Sequence, residues 1–235
     1  MQDDSISLNK FISSTGICSR READRLIEQG RVKINGVLAK KGNRVLPIDS
    51  VTLNGKTVAH QTKKHYLAFH KPPGITCTTD RRDKDNIIDF INHKERIFPI
   101  GRLDKASTGL ILLTNDGDIV NEILREENYH EKEYIVKVNK RIDNRFLKSM
   151  STGIPILGTV TKKCKVERIS DYVFRIILTQ GLNRQIRRMC EYLDYKVVTI
   201  KRIRIMHIQL EELKIGQWRN LSAVELKKLF EQIKP

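Results

Sequence analysis

Asp104 has the setting of a reactive group. It lies in GRLDKASTGLILLTNDGD (Gly101–Asp118), two residues after Arg102 and just before an apolar run. An acid in that position either closes a turn or pairs with Arg102, or it serves as a catalytic carboxylate. GLILLTNDGD reads as a buried strand ending in an Asx-Gly turn, so Asp104 falls in the loop entering the strand. Loops held by a rigid strand are where catalytic groups tend to sit. GLNRQIRRMCEYLDY (Gly181–Tyr195) supplies a partner. At about 100° per residue, Ile186, Met189, Cys190 and Leu193 share one helical face. Arg184, Arg188 and Glu191 fall opposite, and Arg187 stands at the border, best placed to reach inward. An inward guanidinium needs an anion, and Asp104 is a candidate. Tyr134, in HEKEYIVKV, opens a strand; it is either a core tyrosine or a platform for stacking on a base.

The elements that must hold these residues are legible in outline. YLAFHKPPGITCTT reads as a strand broken by Pro72-Pro73-Gly74. A helix follows the Asp104 motif, with Ile119, Val120, Ile123 and Leu124 on one face. EYIVKVN, VTKKCKVERI and YVFRIILTQG read as further strands. Leu226, Leu229, Phe230 and Ile233 mark a last helix, with Ser222 and Glu225 as its capping box. Irregularly placed helices among hairpin-linked strands predict an α+β fold with a mixed, largely antiparallel sheet.

The N-terminal part is different in kind. Leu8, Phe11 and Ile12 give a short helix that Gly16 can stop. SRREADRLIEQG gives a second, capped by Ser19 and Glu22 and ended by Gly30, with Arg20, Arg21 and Arg25 on its outward side. RVKINGVLAK and DSVTLNGKTVA each place Asn-Gly between apolar stretches, a strong hairpin signal. The expected division is a unit over 1–59, a linker over 60–65 and a larger unit over 66–235.

With 235 residues, 39% of them hydrophobic, the chain can form a core. Lys+Arg 44 against Asp+Glu 28 gives a net charge of +16, which favours a polyanionic partner through counterion release. No apolar stretch approaches the roughly 20 residues of a spanning helix, and the start lacks the pattern of a signal peptide. Four scattered cysteines without a C-x-x-C pair read as reduced thiols of a cytoplasmic protein, not as a zinc site.

GRLDKASTGLILLTNDGD, KEY and GLNRQIRRM resemble the core motifs of bacterial RNA pseudouridine synthases of the RsuA/RluB/RluE/RluF family. LNKFISSTGICSRREADRLIEQGRVKINGVLA resembles an S4 RNA-binding domain. IPILGTVTKKCKV and GLNRQIRRMCE are most similar to the RluF branch, whose members modify large-subunit ribosomal RNA. The resemblance implies an enzyme that detaches uracil from ribose, rotates it and rejoins it through C5, with no cofactor and no metal. It implies Asp104 as the catalytic carboxylate, acting at the sugar or the base, Arg187 as its partner, and Tyr134 packed against a flipped uracil. Arg102 would help displace the base. Arg20, Arg21, Arg25, Arg31 and Lys33 would form an RNA clamp, with Arg184 and Arg188 adding contacts. The implied partner is 23S ribosomal RNA, with a tRNA as a further candidate, and a monomer is expected. One carboxylate suits an isomerase, whereas glycoside hydrolysis recruits a second to activate water.

Two other readings compete. A binding-only S4 protein would share the charge and the N-terminal unit but has no use for Asp104, Tyr134 and Arg187. A nuclease or glycosidase lacks its paired carboxylates or metal cluster.

Overall fold

Described residues of the computed structural model are 4–59 and 63–233. They divide into two compact units, one holding the chain up to Lys64 with the short segments Lys94–Arg96 and Asn115–Gly117, the other holding the rest. Residues 60–62 of the expected linker lie outside the described residues.

In the first unit, the helix Leu8–Ser14 buries Leu8, Phe11 and Ile12. Ser19 caps the helix Arg20–Glu28 by accepting from the Glu22 amide at 3.2 Å. Ala23, Leu26 and Ile27 turn inward from it onto a core completed by Val32, Val45 and Val51. Both Asn-Gly pairs form the expected turns. Asn35 and Gly36 (φ 49° and 83°) and Asn54 and Gly55 (φ 52° and 78°) adopt the left-handed backbone of type I′ hairpins. They link the strands of a four-stranded sheet.

The second unit is built on nine strands: β1 (Tyr66–Lys71), β2 (Phe98–Ile100), β3 (Thr108–Thr114), β4 (Lys132–Val138), β5 (Lys165–Ser170), β6 (Val173–Leu178), β7 (Val197–Ile205), β8 (Ile208–Gln209) and β9 (Trp218–Asn220). The sheet runs β5-β6-β4-β7-β3-β1-β9, with β8 pairing β7 and β2 pairing β3. Every pairing is antiparallel except β7 with β3, where Lys201 faces Thr108 and Arg202 faces Gly109. The α+β class with a mixed, largely antiparallel sheet is therefore what the sequence predicts.

Burial explains why β3 reads as an unbroken apolar run. Leu110 and Leu112 pack on one side, with the helices Asp118–Leu124 and Ala223–Ile233. Ile111 and Leu113 pack on the other, with the short helix Ile87–Ile91. A strand covered on both faces loses its alternation. A third core gathers β4 and β6 with the helices Asn144–Thr152 and Gln185–Tyr192.

VTKKCKVERI departs from the expected single strand. Thr159–Val160 pairs with Pro155–Ile156 in a separate hairpin, and β5 begins only at Lys165. Between them the Thr161 amide donates to the Ile154 carbonyl and the Cys164 amide to the Ser151 carbonyl. Those bonds tie the stretch to the end of the preceding helix and keep it out of the large sheet.

Candidate active site

The loop carrying Asp104 is pinned on both sides. The Leu103 amide donates to the Cys77 thiol sulfur at 3.3 Å. The Lys105 carbonyl accepts from the Gly74 amide at 2.8 Å and from Lys71 Nζ at 3.3 Å. Lys71 ends β1 fully buried, and its ammonium also donates to the Pro72 and Ile75 carbonyls, both at 2.7 Å. Burial pushes the Lys71 pKa down, against the opposing pull of Cys77 and Asp104. The Pro72-Pro73-Gly74 break is thus a clasp for the Asp104 loop.

Arg187, on the helix Gln185–Tyr192, places Nε 3.5 Å from Asp104 Oδ2. Its Nη2 lies 3.4 Å from Ser107 Oγ, and the Ser107 amide donates to the Asp104 carbonyl. The Arg187 side chain is 12% exposed and that of Asp104 33%, so the ion pair is sheltered while the carboxylate stays open to the cleft. The helix keeps its predicted inner face, with Ile186, Met189 and Cys190 buried. Burial raises the Cys190 thiol to about 12, which leaves it an inert core residue.

Asp104, Arg187 and Tyr134 all line one cleft of about 1160 Å³ in the second unit. Tyr134 sits where two cores meet, packed against both. Arg102 is exposed at the same cleft. Arg184 also lines it, but as the left-handed residue (φ 50°) that precedes the helix. It therefore does not share a helical face with Arg188, because the turn at Leu182 holds the helix back. There the Leu182 amide donates to Gln185 Oε1. Arg188 folds onto Asn183, donating to its carbonyl at 3.1 Å and its Oδ1 at 3.3 Å, and is not among the cleft residues.

In the first unit Arg20, Arg21, Arg25, Arg31 and Lys33 are all exposed. Arg25 pairs with Glu22 at 2.9 Å and Arg31 donates to Asn54 Oδ1 at 2.8 Å.

Motif reading passes over Lys71, Cys77, Lys132 and Arg202. The last three also line the cleft. A buried lysine or arginine reads in sequence like any exposed one, and only the pairing of distant strands reveals it. Among the described residues no group of three or more His, Cys, Asp or Glu could hold a metal ion, and no helix is long and apolar enough to cross a membrane.

The fold and cleft define a class: an α+β enzyme with a carboxylate–guanidinium pair sharing its cleft with a tyrosine, preceded by a small basic unit. A family model described as RNA pseudouridylate synthase matches residues 65–192, and an S4 domain model matches residues 7–51. The "Dual-specificity RNA pseudouridine synthase RluF" of Escherichia coli strain K12 is 54% identical over 235 residues, 99% of this chain and 81% of the relative. The "Ribosomal large subunit pseudouridine synthase B" of Bacillus subtilis strain 168 is 33% identical over 231 residues, 94% of each. A solved structure described as "Crystal structure of pseudouridylate synthase" superposes with a TM-score of 0.70 at 29% identity, covering 95% of this chain and 99% of that one. The chain belongs to the RNA pseudouridine synthase family, as an S4-bearing enzyme that isomerises uridine in RNA.

Proposed function

We propose that the substrate is 23S ribosomal RNA of the large subunit, with a tRNA as a second substrate, and that the enzyme works as a cytoplasmic monomer. The 54% identity across 99% of the chain to a relative named dual-specificity supports two RNA substrates, and the 33% identity to a relative named for the large ribosomal subunit supports a large-subunit RNA as one of them. Asp104 acts as the catalytic carboxylate, and Arg187 balances its charge and fixes its direction. Tyr134 packs against the flipped uracil, while Arg102, exposed beside Asp104, helps displace the base. Base flipping costs a few kcal/mol, which the pocket and backbone contacts offset. Residues 1–59 serve as the S4 clamp and 66–235 as the catalytic domain, joined by a linker over 60–65, with Arg184 and Arg188 adding RNA contacts. Pseudouridine mapping of total RNA with and without the gene tests the substrate. One missing site in 23S RNA and one in a tRNA are expected; loss confined to small-subunit RNA would overturn the assignment.

The clamp makes its own prediction. Arg21 and Lys33 are exposed, and neutralising both as Arg21→Gln with Lys33→Gln should leave folding intact. The slope of log affinity against log salt should become shallower by about 2. Turnover at saturating RNA should change less than turnover at low RNA, since uniform binding affects KM more than kcat. Equal slopes for parent and variant would remove these residues from the RNA interface.

A further inference from the structure

Two cations in the strand wall of the cleft have no part in the roles given above. Lys132 and Tyr134 lie two apart on β4, and both reach the cleft. Arg202, on β7, is the cross-strand partner of Tyr134. It is 3% exposed, and its Nε donates to the Leu110 carbonyl at 2.7 Å. Its Nη2 is buried without a hydrogen-bond partner among the described residues, and its guanidinium carbon lies 5.9 Å from the Tyr134 ring centre. Among the described residues the ammonium of Lys132 reaches only the His130 carbonyl, at 3.4 Å.

Among the described residues no acid pairs with either cation. Glu133 is held on the strand by Arg175 at 2.7 Å and Arg204 at 2.6 Å. Of the acids lining the cleft, Asp104 faces Arg187, Asp80 is held by Arg82 and Glu126 by Lys162. Asp83 accepts from the Asp85 amide. The other cleft cations are Arg102, Arg184 and Lys105, which pairs with Asp85. Burial and the neighbouring Arg202 charge bring Lys132 down to about 8. Two like charges in a sheltered wall without a counter-ion call for negative charge to arrive from outside.

The reaction supplies such charge wherever Asp104 attacks. Attack at uracil C6 sends the C5=C6 electron pair towards O4. Attack at the sugar breaks the C1′–N1 bond, and its electron pair leaves with the base, spread over O2 and O4. Either way the C1′–N1 bond is cleaved and C1′–C5 forms in its place, the bond made to Asp104 breaks and returns the free carboxylate, C5 gives up its proton and N1 gains one, so atoms and charge balance. We propose that Lys132 is a further catalytic residue, whose ammonium donates to the uracil carbonyl oxygen where negative charge collects. The proposal rests on the assignment of Asp104 and Tyr134.

Single-turnover kinetics on transcribed, unmodified 23S RNA test it. Lys132→Met should slow the chemical step at saturating enzyme by about 10²–10³-fold, the scale of one lost oxyanion donor, with RNA affinity and salt slope unchanged. Parent activity should fall as pH rises past about 8, because the ammonium loses its proton. Lys132→Arg keeps its charge, and its profile should stay flat to pH 9. A Lys132→Met protein with weakened affinity, a shallower salt slope and a normal saturated rate would make Lys132 a phosphate contact and overturn the proposal. So would a falling limb near pH 8 that persists in Lys132→Arg, a readout that decides the matter even if Lys132→Met does not fold. Asp104→Asn, run in parallel, separates the two assignments: if it keeps activity, the underlying reading fails, and if it is inactive, the Lys132 results stand on their own.

Discussion

Asp104→Asn should reduce pseudouridine formation by roughly 10⁴-fold or more, the scale on which removal of a central catalytic group acts. The substitution keeps the size and most of the polarity of the side chain, and Asp104 is one-third exposed, so folding should survive. The loop does not depend on that carboxylate for its shape. It is held by backbone bonds at Leu103 and Lys105 through Cys77, Gly74 and Lys71. RNA affinity should therefore stay near that of the parent. Measured turnover of the purified, folded variant decides the matter, and retained activity would remove Asp104 from the chemistry.

Gly109→Ala should have the second large effect, on stability. At the parallel seam the backbone of Gly109 (φ 115°) lies so close to β7 that an added Cβ would stand 2.2 Å from the Arg202 carbonyl oxygen and 2.4 Å from its nitrogen. Both are main-chain atoms and cannot swing aside. Relief requires separating the strands or abandoning the backbone angle, at a cost of about 3 kcal/mol or more. Because Arg202 is the partner across the seam, activity should fall even in the fraction that folds. Gly117→Ala is the control, since its added Cβ meets nothing within 4 Å and its backbone angle is ordinary. Urea unfolding of both variants checks the contrast, and a Gly109→Ala midpoint equal to the parent's would refute it.

What the sequence reveals and what it conceals divide along physical lines. Local rules located the helix behind Ser19 and the hairpins at Asn35-Gly36 and Asn54-Gly55. They also located the last helix, where Ser222 and Glu225 exchange both bonds of a capping box. Each rests on residues within four positions of one another. Helical periodicity marked Arg187 as the inward arginine, and the structure pairs it with Asp104. Lys71 closes a strand as any solvent-seeking lysine might, and only three carbonyls beyond it make its burial possible. Arg202 sits in KRIRI, which looks like an alternating basic strand. The need for glycine at 109 depends on β7, which lies far along the chain.

That seam also bears on when the enzyme becomes active. Its two strands are joined through most of the catalytic unit, so closing it ends a long loop, and long-range pairings form slowly. Asp104 lies before one strand, Arg187 just ahead of the other, and Tyr134 in the intervening chain. During synthesis, which proceeds from the N-terminus, the S4 unit and its basic helix emerge first. On the roles proposed for the two units, a growing chain would hold RNA before it isomerises anything, because the carboxylate and its guanidinium meet only after the helix Gln185–Tyr192 has joined the fold. The order of synthesis separates grip from chemistry.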